Sequence, residues 1–226
     1  MSKALGGTER SEKLINIELD NVNLEGNLCI PKRAEGIVMF IHGSGSSRHS
    51  TRNKFVAKVL NQANLATLLF DLLTQREESI DLITAQLRFD INLLAKRVTG
   101  VTKWLGENSE VSDLSIGYFG ASTGAAAALV AASEIPNAVS AVVSRGGRPD
   151  LAGEALKHVT VPTLLIVGEM DTMVLGLNRE AFESLPGEKH LSVIPGATHL
   201  FEESGTLEIV SALASDWFWK YLHTKN

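Results

Sequence analysis

Three residues of this chain are of types that together open acyl bonds: Ser122, Asp171 and His199, in that order along 226 residues. Ser122 stands in Gly120-Ala121-Ser122-Thr123-Gly124, a G-x-S-x-G pattern. It comes directly after the apolar run LSIGYF and directly before the alanine-rich AAAALV. A strand that turns into a helix over one serine bends so sharply that flanking side chains would clash, and glycines answer that need. The hydroxyl is then exposed at the strand's C-terminal end, beside the positive end of a helix. A glycine-lined turn that only packs a helix on a strand is the plain alternative, and it leaves the central serine unexplained.

A serine hydroxyl is a weak nucleophile at neutral pH and needs a base. Downstream of Ser122 the histidines are His158, His190, His199 and His223. The first two precede strand-like segments, which puts them at the wrong edge of a sheet, and His223 falls in a C-terminal helix. His199 follows the run LSVI (191–194) in the loop PGATHLF, where an imidazole can swing over the nucleophile. A histidine base implies activity that rises with pH as the imidazole loses its proton. For the acid that orients it, Asp171 in VGEMD has the best position, just past the run LLIVG. Asp150 in RGGRPD is the main rival, and Glu169 is a near neighbour.

The alkoxide formed on attack needs N–H donors. Thr123, the residue after the nucleophile, supplies one. The loop His42-Gly43-Ser44-Gly45-Ser46-Ser47 supplies the other, assigned to Ser44 with Gly43 and Gly45 as alternatives. His42 precedes the nucleophile and reads as a loop brace. The glycines and serines of this loop lack both the third glycine of a dinucleotide fingerprint and the GK[ST] of a phosphate loop. Arg48, Arg145 and Arg148 fall near the same sheet edge. Each either grips a substrate carboxylate or makes an ion pair that stabilises a loop. Arg88, in the helix-like QLRFDI, is a weaker candidate.

The elements that must position these residues follow from texture. Ile15, Ile17 and Leu19, then Leu24, Gly26, Leu28 and Ile30, repeat with a period of two across a polar turn, which predicts an antiparallel pair. GIVMFI (36–41), ATLLF (66–70), LSIGYF (114–119), AVVS (141–144) and PTLLIVG (162–168) are continuously apolar, as strands buried on both faces are. Between them lie helical stripes. One is Phe55, Val56, Val59 and Leu60, ending at Asn64. Another runs from Ile91 to Leu105, ending near Gly106. Two more are Ala125–Ala132 and Val210–Tyr221. Alternating strands and helices predict an α/β fold with a mostly parallel central sheet and helices on both faces. Between Ser144 and Pro162 there is room for one short helix and no large lid. Residues 1–12 read as a flexible tail and 13–226 as a single domain.

Composition narrows the function. Hydrophobic residues at 44% and charged residues at 21% describe a globular chain, and a net charge of −5 argues against a nucleic-acid partner. The one cysteine, Cys29, reads as a buried strand residue and fits a reducing compartment. No apolar run is of signal-peptide or membrane-span length, so a cytoplasmic location is expected. With no HExxH or Cys/His cluster, neither a metal nor an organic cofactor is expected. The expected state is monomer or homodimer.

The blocks FIHGSGSSRHSTRN, LATLLFDLLT, GYFGASTGAAAAL, SRGGRPDLAG, VGEMDTMVLGLNRE and GATHLFEE, in this order, resemble the dienelactone hydrolase-like branch of the α/β-hydrolase superfamily. The resemblance covers nearly the whole chain from about residue 14. It implies an α/β-hydrolase fold, with Ser122 as nucleophile, Asp171 as acid and His199 as base. The dienelactone hydrolases themselves carry cysteine at the nucleophile position, so Ser122 is a departure that points toward other esters. The reading is a serine hydrolase of small carboxylic esters acting through an acyl-enzyme. The alternatives are lactonase, dienelactone hydrolase-type or thioesterase activity at the same site, and a non-catalytic binding protein on this fold.

Overall fold

The computed structural model describes residues 10–223. Of the expected tail, residues 1–9 lie outside the described residues, and residues 10–12 already belong to the first strand. Strands β1 (Arg10–Leu19) and β2 (Val22–Pro31) form the antiparallel pair, with Ile17 opposite Leu24. β2 then runs antiparallel to β4 (Ala66–Phe70). From there the sheet is parallel through β3 (Ile37–Ile41), β5 (Ile116–Ala121), β6 (Ala141–Arg145), β7 (Thr163–Gly168) and β8 (Lys189–Ile194). The order across the sheet is β1-β2-β4-β3-β5-β6-β7-β8.

Every residue of β3 to β7 is buried, because helices cover both faces. Ile37, Met39 and Ile41 point to a core shared with α3 (Ile91–Glu107), α4 (Thr123–Glu134) and α5 (Thr172–Ser184). Val38 and Phe40 point to the opposite core, shared with α1 (Thr51–Gln62) and α6 (Thr206–Leu222). Each buried Leu, Ile or Phe side chain contributes about 1.5–3 kcal/mol relative to exposure, so this alternation fixes the register. A 3₁₀ segment, Pro149–His158, fills the stretch between β6 and β7, where a short helix was expected.

α3 ends at Glu107, near Gly106 as expected, while two details depart from the sequence reading. α1 buries Asn53, Val56, Ala57 and Leu60 and leaves Phe55 exposed, so the buried face lies to one side of the apolar stripe. An additional helix, α2 (Gln75–Thr84), lies between β4 and α3, held by a Thr74–Glu77 capping box.

The chain leaves β3 for β4 on one side and later returns to β5 on the other. β3 and β5 are therefore neighbours across a reversal of strand order, and crevices outside the C-terminal ends of such strands are where this class of sheet binds ligands.

Candidate active site

β5 runs into α4 with Ser122 alone between them. Its backbone has φ 50° and ψ −123°, a conformation that costs a residue with a side chain on the order of 1–3 kcal/mol. The surroundings enforce it. The Ser122 N–H donates to the Arg145 carbonyl at 3.2 Å, and the Ser122 carbonyl accepts from the Arg148 N–H at 3.0 Å. Both flanking glycines are required by close approach. A Cβ on Gly120 would stand 2.5 Å from the Ala125 Cα, and one on Gly124 would stand 2.3 Å from the Ile41 carbonyl oxygen. Ser122 itself stays partly exposed.

Asp171 precedes the first turn of α5, yet its side chain makes no capping bond there. The carboxylate meets His199 instead, with Oδ2 2.6 Å from Nδ1. The loop that carries His199 is braced from two sides. Glu169 accepts from the Gly196 N–H at 3.0 Å, and Glu203 accepts from the N–H and hydroxyl of Thr198 at 3.2 and 2.6 Å. The rival acid, Asp150, is not at the histidine: Arg148 grips it with two bonds of 2.8 and 2.7 Å.

The segment 145–148 joins Ser122 to the loop that carries His199. It bonds to both backbone groups of Ser122, and a Cβ on Gly146 would stand 3.6 Å from Cε1 of His199. Asn178 of α5, fully buried, donates to the Gly147 carbonyl at 2.9 Å and fixes this segment from below. Sequence reading passed over Asn178, Glu203 and Glu169 as braces, because each contacts backbone atoms that no side-chain pattern reveals.

The loop after β3 lies on the elbow. A Cβ on Gly43 would stand 2.9 Å from that of Ser122. The Ser44 N–H donates to the Thr123 hydroxyl at 2.8 Å, so in this state its hydrogen goes to a neighbouring side chain. The Thr123 N–H, at the first position of α4, has no partner within the helix. His42 acts as a strut. Its Nε2 accepts from the Leu72 N–H at 3.1 Å, which leaves Nδ1 to donate to the Gly43 carbonyl at 3.0 Å. Burial pushes its pKa below the ordinary histidine value, outweighing the Gly43 bond and the nearby Asp71 and Glu78.

The arginines separate cleanly. Arg48 donates its N–H to Asp71 at 2.8 Å, and its guanidinium contacts Asp71 and, at 2.5 Å, Glu25. Arg148 is paired with Asp150. Arg145 is only 6% exposed, and its buried Nε has no hydrogen-bond partner among the described residues. Its guanidinium carbon lies 5.9 Å from the centre of the Phe201 ring. Burial, with help from Arg52, lowers its pKa to about 10, so it remains charged at neutral pH. None of the three lines the cavity beside the loop after β3, a space of about 80 Å³ bounded by His42–Ser47, Asp71–Leu73, Glu78, Asp81, Leu82, Arg88 and Leu94. The arginine in that wall is Arg88, which sequence reading ranked below the others. Among the described residues, no group of three or more His, Cys, Asp or Glu side chains gathers in a way that could hold a metal ion. No helix among them is long and apolar enough to cross a membrane.

Comparison with known proteins bears on this geometry. A model described as the dienelactone hydrolase family matches residues 24–220. A solved structure of a dienelactone hydrolase from Anabaena variabilis shares 59% identity and a TM-score of 0.93, covering 94% of this chain and 99% of that one. Est1E from Butyrivibrio proteoclasticus, with 16% identity, superposes with a TM-score of 0.77 over 92% of this chain and 98% of its own, a likeness of fold. Two curated proteins named putative phosphoribosyl transferase, from two strains of Mycobacterium tuberculosis, are 57% identical over 201 residues. That match takes in 89% of this chain and 44% of theirs, so the chain spans about half the length of the curated relatives it matches.

Proposed function

Because the chain belongs to the dienelactone hydrolase family, we propose that it is a serine hydrolase that cleaves small carboxylic esters through a Ser122–His199–Asp171 triad. The observation that carries the reading is the 2.6 Å contact between Asp171 and Nδ1 of His199. That bond supports Nε2 as the atom that carries the mobile proton, in a loop that lies against the same 145–148 segment as Ser122.

In the first step Nε2 of His199 takes the Ser122 hydroxyl proton while Oγ bonds to the ester carbonyl carbon, and the carbonyl electron pair moves onto oxygen. The Thr123 N–H meets that oxygen. The Ser44 N–H joins it by exchanging the Thr123 hydroxyl for the oxyanion, with Gly43 and Gly45 offering neighbouring amides. Collapse expels the alcohol oxygen, which leaves with the proton held by His199. Water repeats the sequence on the acyl-Ser122, giving the acid and the free enzyme. On a lactone the same steps open a ring, and the alcohol stays tethered. None of these steps calls on a metal or an organic cofactor, and a sequence with one cysteine suits a reducing cytoplasm.

Hydrolysis of short p-nitrophenyl esters tests the proposal. Ser122→Ala is expected to lower kcat by about 10⁴–10⁶. A Ser122→Ala protein with wild-type turnover would exclude Ser122 as nucleophile.

A further inference from the structure

The walls of the cavity next to the oxyanion loop point to what the enzyme turns over. This inference rests on the hydrolase reading above. We propose that the cavity takes an uncharged, largely apolar part of the substrate bearing one acceptor oxygen, and that it discriminates against carboxylate-bearing esters.

Position comes first. Gly43 and Ser44 form part of the cavity wall, and Gly43 packs directly on Ser122. A group in this space is therefore one residue away from the nucleophile.

Charge comes second. Arg88 is held by Asp81 through Nε at 2.5 Å and through Nη2 to the Asp81 carbonyl at 2.9 Å. The buried Asp81 carboxylate also accepts the N–H groups of Leu87 and Arg88. The guanidinium is thus neutralised and fixed in direction. Its Nη1 faces Gly45, 3.8 Å from where a Cβ would stand there, and makes no hydrogen bond among the described residues. It can donate one hydrogen bond into the cavity, but its charge is already balanced. Arg48, outside the wall, is balanced by Asp71 and Glu25. Glu78 lines the cavity without an ion pair among the described residues. Asp71, Glu78 and Asp81 against Arg88 leave the wall with a net −2, and His42 adds nothing while it is neutral. A carboxylate entering here meets like charge and no unbalanced cation, which is unfavourable.

Apolar surface comes third. Leu72, Leu73 and Leu94 complete the wall, and Leu82 of α2 both lines the cavity and is 73% exposed.

The test uses one matched pair: the mono-p-nitrophenyl ester of adipic acid, and the same compound with its free acid capped as the methyl ester. The uncatalysed rate is subtracted with Ser122→Ala. Wild-type kcat/KM is expected to favour the capped ester by tenfold or more. Glu78→Lys should shrink that ratio several-fold. Asp216→Lys, the same change of net charge on the exposed face of α6, should shrink it far less. Arg88→Lys, which keeps a cation beside Asp81 and removes the directed Nη1 donor, should raise KM for the capped ester more than for p-nitrophenyl heptanoate. A ratio near one, preference for the free acid, or equal shifts from Glu78→Lys and Asp216→Lys would overturn this inference while leaving a Ser122-dependent hydrolase in place. No Ser122-dependent turnover of either ester, together with no fluorophosphonate label on Ser122, would remove the hydrolase reading and this inference with it.

Discussion

Asp171 occupies a position where an aspartate would ordinarily cap a helix, and its side chain is turned away from that role toward His199. The helix therefore gives up nothing when the carboxylate changes, whereas the imidazole loses its orienter. Asp171→Asn is expected to cut turnover by about 10⁴ through loss of the correct tautomer, with a stability change below about 0.5 kcal/mol. Ester hydrolysis and urea unfolding on one preparation check both halves. A stability loss of about 1 kcal/mol or more, typical of a lost cap, would contradict this division of roles. Ser122 offers a second residue-scale prediction. With φ at 50°, glycine relieves what alanine keeps, so Ser122→Gly should be more stable than Ser122→Ala by about 1 kcal/mol, though both are inactive. Equal stabilities would mean the bend is unstrained. At this scale much could be read from the chain. An acid after one strand and a histidine after the next are brought to one sheet edge by the parallel order alone. The Ser44–Thr123 bond could not be read, because a hydroxyl taking a backbone N–H 79 residues away leaves no trace in spacing.

At the scale of elements, the loop after β3 is held by a partly buried neutral imidazole. His42 accepts the Leu72 N–H through Nε2, so protonation breaks the strut. Its folded pKa lies below the ordinary value of 6.5, so the unfolded chain takes up a proton that the folded chain refuses. Stability is then fully present above about pH 6.5 and falls on acidification through that value toward the lower folded one, with a slope of at most about 1.4 kcal/mol per pH unit. Urea unfolding at pH 7.5 and 5.5 should show a smaller acid loss in His42→Gln than in wild type. An identical loss would place the acid sensitivity elsewhere. The elbow itself tolerates no added atom. Gly124→Ala would force a methyl group against the β3 carbonyls, and about 1–3 kcal/mol of stability should go with it in the same assay. Strands were legible at this scale because buried runs leave continuous apolar stretches. α2 was not, because Ile80, Leu82 and Ile83 are exposed and trace no stripe toward a core. The wall that sets the cavity's charge therefore came from an element hidden in the sequence. α1 shows the opposite error, since Asn53 is buried and Phe55 is not.

For the molecule as a whole, one sheet separates two cores and gathers four loops at one edge: those after β3, β5, β7 and β8, with the 145–148 segment between the nucleophile and the histidine. The architecture was legible because parallel order and apolar runs are global signals. The chemistry of the pocket was less so, because it depends on which arginine meets which carboxylate across the fold. Of the three arginines that could either grip a substrate carboxylate or make a loop ion pair, two are paired within the chain and the third is buried under Phe201. The account stands on Ser122 being activated by His199. The most direct measurement is the rate of covalent labelling by a fluorophosphonate, with the modified residue located by mass spectrometry. The account predicts rapid labelling at Ser122 alone, abolished in Ser122→Ala and slowed by orders of magnitude in His199→Ala. Labelling of another residue, or an undiminished rate without His199, would contradict it.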